Sequence, residues 1–171
     1  MHRRLDTMNS VMASPALQTS VDILDRVLTT SSGLVALDTA DAQVFISQMR
    51  TVSRSTGQAM YIWQPGSGLT SLRDAHAQVP DCVRLGNALR YMQQSMHFGI
   101  YFLIGLELPL STMSAALLRQ LARAPKDHLR RVVLLDAPAA LLEYVGELAV
   151  RMTDGYRPPR HLRLRDGRWL V

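Results

Sequence analysis

Four short apolar runs, Leu34–Leu37, Met60–Trp63, Gly99–Ile104 and Val132–Leu135, punctuate the chain, and segments of helical periodicity separate them. A run of this length without alternation suits a strand buried on both faces. Strands joined through helices form βαβ crossovers, and hence a mostly parallel sheet flanked by helices. The expected fold class is therefore α/β, with these four runs as inner strands. At 171 residues there is room for one core of this kind.

The intervening residues fill in the rest. Val21, Ile23, Leu24, Val27 and Leu28 share a helical face, with Ser20 as the expected N-cap. Asp38 and Thr39 are expected to cap a second helix carrying Val44, Phe45, Met49 and Val52, which Gly57 ends. Pro65-Gly66-Ser67-Gly68 reads as a tight turn, followed by a polar loop to about Pro80. Asp81 is expected to cap a helix through Met92, and Ser111 another through Leu121. A last helix from about Ala139 is expected to run on until Pro158 and Pro159 break it. Asp166-Gly167 marks the turn of a closing antiparallel hairpin at a sheet edge. Residues 1–15 lack any period and read as a flexible leader, leaving 16–171 as a single domain.

Composition excludes several classes. Hydrophobic residues make up 47% and charged residues 19%, so the chain can build a core. No apolar run approaches the ~20 residues of a membrane-spanning helix, and no secretory signal is evident. The one cysteine, Cys82, permits no intrachain disulfide; a helix start can lower a thiol pKa, but with no partner residue to name Cys82 is expected to be structural or incidental. A cytoplasmic location is expected. The five histidines are scattered singly, without ligand spacing. The nine methionines suit core filling, with only Met8 and Met12 expected to be exposed.

Open α/β sheets bind ligands beyond the carboxyl ends of their strands. A phosphate loop there needs glycine-rich backbone and a lysine. The only lysine, Lys126, lies before the fourth strand, and Asp38-Thr39-Ala40-Asp41 follows the first. Two carboxylates stand where phosphate needs amides and a cation. Gly66-x-Gly68 lacks the third glycine of a dinucleotide fingerprint. Asp38, Glu107 and Asp136 fall at strand ends and are the candidates for acid or metal chemistry, but no nucleophile motif accompanies them. No catalytic residue, metal or cofactor is expected.

Charge is the remaining signal. The net charge is +5, and residues 151–171 alone hold six arginines against Asp154 and Asp166. Arg160, Arg163, Arg165 and Arg168 are the candidate partner-binding residues, suited to an acidic partner. Arg163-Leu-Arg-Asp166 has the R-x-x-D form some proteins use for cyclic di-GMP, but Asp166 already serves the turn, so that ligand is not expected. Nucleic acid is the alternative for so basic a segment, but the chain has only two Trp and eight other aromatic residues, and no basic–aromatic interleaving marks a stacking surface.

The order of elements resembles a degenerate RecA-like domain. Ser32-Gly-Leu-Val-Ala-Leu-Asp-Thr39, Phe98-Gly-Ile-Tyr-Phe-Leu-Ile104, Leu117-Leu-Arg-Gln-Leu121, Val132-Val-Leu-Leu135 and Arg160–Val171 are similar to the N-terminal domain of the BcsE cellulose-secretion regulators. The single-domain length is similar to the SulA division inhibitors. Gly57–Leu69 resembles the second strand in nucleotide-free N-terminal domains of some AAA proteins. All three resemblances imply a P-loop-derived three-layer sandwich that has lost its nucleotide. They imply a non-catalytic regulatory module acting by protein contact, with a P-loop ATPase as the expected partner.

Overall fold

A computed structural model describes residues 14–123 and 130–154. The elements follow as α1 (Pro15–Thr29), β1 (Leu34–Asp38), α2 (Ala42–Thr56), β2 (Met60–Gln64), β3 (Gly68–Ser71), α3 (Leu85–Gln94), β4 (Gly99–Leu103), α4 (Thr112–Ala122), β5 (Arg130–Leu135), α5 (Ala139–Val145) and β6 (Val150–Thr153). They form one six-stranded sheet in the order β3-β2-β4-β5-β1-β6, parallel except for the β2–β3 hairpin. The four expected strands are the four inner ones. The closing hairpin, with Arg160, Arg163, Arg165 and Arg168, lies outside the described residues, as does the leader through residue 13.

The layers follow from handedness. A right-handed crossover places its helix on the face set by the direction of travel across the sheet. β1 to β2 travels one way, with α2 on one face. The steps β2 to β4, β4 to β5 and β5 to β6 travel back, and α3, α4 and α5 cover the other face. The core alternates accordingly. Val35, Leu37, Ile62, Ile100, Phe102 and Val133 pack on α1 and α2. Leu34, Ala36, Trp63, Tyr101, Leu103 and Val132 pack on α3, α4 and α5.

Several boundaries differ from expectation, each for a local reason. α1 starts at Pro15, because proline suits the first helical position and Ser14 accepts from Leu17 N at 3.3 Å. Ser20 is thus inside the helix, buried and bonded to Gln48. Asp41 caps α2 in place of Asp38 and Thr39, accepting from Gln43 N and Val44 N at 2.9 and 3.1 Å. Asp81 adopts φ 59°, and α3 begins only at Leu85, without a side-chain cap. Ser111 caps α4 and Gly57 ends α2 at φ 74°, both as expected.

Two strands were not expected. The segment after the Pro65–Gly68 turn is strand β3 and not a polar loop. Its outer edge is covered by residues 77–79, through Ser71 N to Ala77 O and Val79 N to Leu69 O, both 2.9 Å. The helix from Ala139 ends at Val145, and after a short 3-10 turn the chain forms β6 beside β1. Gly146, at φ 52°, supplies the backbone that stops it well before Pro158.

Candidate functional site

β1 and β5 are neighbours whose following helices lie on opposite faces. The crevice between their carboxyl ends is the switch point where such sheets bind ligands. Here the chain fills it with its own carboxylates. Asp136, just past β5, accepts from Thr39 N at 2.6 Å and from the Thr39 hydroxyl at 2.8 Å. Asp154, just past β6, accepts from Ala40 N at 2.8 Å. Asp41 holds the amides of Gln43 and Val44 in the first turn of α2. The backbone closes the same cluster, with Asp136 N on Leu37 O at 3.0 Å and Asp154 N on Asp38 O at 3.1 Å.

Amides after the first strand, at a helix N-terminus, are the groups that would hold a phosphate. Donors already bonded to carboxylates give nothing to an incoming anion, and the carboxylates repel it. Asp38 and Asp136 come together at this crevice, but Glu107 does not join them. It is exposed beyond β4 and lines a separate cleft with Arg84. Among the described residues no group of three His, Cys, Asp or Glu side chains is placed to hold a metal ion.

Residues 20–148 match the family described as SpoVK-like AAA ATPase, N-terminal domain. The chain belongs to this family. Membership in a SpoVK-like AAA N-terminal domain family accords with the α/β sandwich and with the AAA-like stretch at Gly57–Leu69. No curated protein and no solved structure compared with the chain gave a match. No helix among the described residues is long and apolar enough to cross a membrane.

Further features of this family member surround the strand ends. Trp63, at the end of β2, is buried, and its indole N–H donates to Cys82 O and Val83 O at 3.1 and 3.3 Å. That bond fixes the chain as it enters α3. Gly68, at φ 76°, lets the hairpin approach the same segment, since a Cβ there would lie 3.2 Å from Cys82 O. The sequence reading missed Trp63 and Asp154 as organising residues. Their partners are 19 and 114 positions away, at spacings that carry no sequence signal.

Cys82 precedes α3 and is only 3% exposed, as suits a structural residue. Burial, with the Asp81 carboxylate as a lesser cause, pushes its thiol up from 9.0, opposite to the lowering a helix start can give. Burial also pushes the Tyr101 phenol up from 10.0. The native state thus holds both protons more tightly than the unfolded chain does. Their contribution to stability is complete below about pH 9 and is lost as pH rises through the raised values. Denaturant melts at about pH 7 and about pH 10.5 should show this loss. It should be smaller in Cys82→Ala and Tyr101→Phe, and an equal loss in both variants would assign it to other groups. The methionines Met49, Met60 and Met92 fill the core as expected, but Met96 and Met113 are exposed.

Proposed function

We propose that the chain is a non-catalytic protein-interaction and regulatory module that works with a P-loop ATPase. The observation that carries this reading is the occupied switch point, where Asp136, Asp154 and Asp41 hold the amides a phosphate would need. The AAA-related family supports the choice of partner class. A fold of nucleotide-binding ancestry whose crevice is sealed by its own carboxylates retains surfaces rather than chemistry. Fold alone does not choose the pathway. The likeness to BcsE makes a bacterial secretion or cellulose-synthesis assembly the first setting to test, and division inhibition of the SulA type the second. A cytoplasmic location is part of the proposal.

Calorimetric titration with Mg-ATP is expected to give no heat, and a micromolar dissociation constant would return the chain to the enzymes. Affinity capture from native lysate should enrich a P-loop ATPase. Adding the purified chain should then change that ATPase's turnover. An unchanged turnover at saturation would remove the regulatory role.

A further inference from the structure

The strand-end surface on the α3–α4–α5 side holds an apolar groove of about 490 Å³, with Leu108, Pro109, Leu110, Ala115, Ala140 and Tyr144 in its walls. No charged side chain lines it. Leu108 is 40% exposed and Tyr144 41%. Across the Pro109–Leu110 ridge, a second cleft of similar size is lined by Arg84, by Glu107 and by Met113, itself 48% exposed. Large apolar side chains left to water in neighbouring concavities mark a contact surface.

The surface around the two concavities is mainly basic, with Arg119 beside the groove and Arg84 and Arg90 on the side of the second cleft. Arg119 lies over the Tyr144 ring, 4.4 Å from its centroid. Arg90 donates to Met113 Sδ at 2.8 Å. From Val83 to Arg123 the sequence holds four arginines, and Glu107 is the only acid. Glu143, on α5, is one position off the Ala140–Tyr144 row that faces the groove.

We infer that this groove docks an acidic, amphipathic segment of a partner protein. Apolar anchors of that segment enter between Leu108 and Tyr144, and its carboxylates meet Arg84, Arg90 and Arg119. The inference deepens the contact reading above and rests on it. Burial of the anchors supplies affinity, and guanidinium–carboxylate pairs supply register and encounter rate. An amphipathic helix laid in a groove is the binding mode with this division of labour. Stacking on Tyr144 holds the Arg119 guanidinium in place before binding, so less freedom is lost on association. The same charges disfavour the chain's own C-terminal segment as occupant. Residues 155–171 hold five arginines against Asp166. They also disfavour a second copy, at +5.

A displayed library of random helical peptides, selected against the full chain, tests this. Enriched peptides should carry apolar residues at helical spacing flanked by Asp or Glu. A synthetic copy of the most enriched peptide should bind at least tenfold more weakly to Tyr144→Glu and to the double variant Arg90→Glu, Arg119→Glu. All three positions are exposed, so circular dichroism and melting should match the parent. Peptides without acidic residues, affinities unaltered in both variants, or no enrichment would overturn the inference. A photo-crosslinker placed at Leu108 separates the other occupants. Cross-linking of the unliganded chain to its own residues 155–171, or to a second copy, would also overturn it. Peptides that bind elsewhere would refute the groove and leave the contact reading standing, whereas the Mg-ATP titration judges that reading independently.

Discussion

Trp63→Ala is expected to lower stability by about 3–5 kcal/mol, the range for removing a large buried aromatic side chain. Trp63 is 5% exposed and packs at the carboxyl end of β2 within the layer shared with α3 and α4. Its loss removes packing and also the donor to Cys82 O and Val83 O. Trp63→Phe separates the two effects. It keeps much of the packing but leaves those carbonyls without the indole, at about 1–3 kcal/mol. Against a total stability of about 5–15 kcal/mol, the alanine change consumes a large share. Denaturant unfolding with linear extrapolation measures both. A loss under about 1 kcal/mol for Trp63→Ala would mean that the β2 end is not packed as described. The consequence for function is local. The residues pinned by Trp63 lead directly into Arg84 and α3, so the wall of the second cleft, across the ridge from the docking groove, should lose its position before the far sheet edge does. Amide exchange in α3 should quicken more in Trp63→Ala than exchange in β6.

What the sequence made legible follows from burial. β1, β2, β4 and β5 have neighbours on both edges and helices on both faces, so nearly every side chain is apolar and the runs stand out. β3 and β6 are edges of four residues each, and each carries exposed or half-exposed positions. Gly68-Leu-Thr-Ser71 therefore looks like a turn and its polar continuation. Val150-Arg-Met-Thr153 merges with the helical pattern before it, where only Gly146 signals a stop. The absent phosphate loop was legible, because it needs a lysine the chain does not have in that place. The sealing of the crevice was not. Asp136 reaches Thr39 across 97 positions and Asp154 reaches Ala40 across 114, contacts that exist only once β5 and β6 flank β1. The docking groove was equally hidden. Its walls come from a loop, α4 and α5, and their exposed apolar residues look like core positions until the helices are placed.

Phe102→Ala should cost a further ~3–5 kcal/mol by a different route. Phe102 is 1% exposed, next to the last residue of β4, and faces α1 and α2. Its ring meets Phe45 edge to face, with centroids 5.8 Å apart and planes at 75°. Such a pair contributes about 0.5–1.5 kcal/mol beyond area burial. A double-mutant cycle with Phe45→Ala and Phe102→Ala should therefore show coupling in that range, of the sign for lost attraction. Phe45 lies one residue beyond Val44, whose amide is held by Asp41 at the head of α2. Loosening the ring pair should free that first turn, and exchange at Gln43 and Val44 should quicken. Nucleotide binding should still not appear, because Asp136 and Asp154 keep their hold on Thr39 and Ala40 and no lysine enters the crevice. Measurable Mg-ATP binding in Phe102→Ala would show instead that α2 packing, not the strand-end carboxylates, is what keeps nucleotide out.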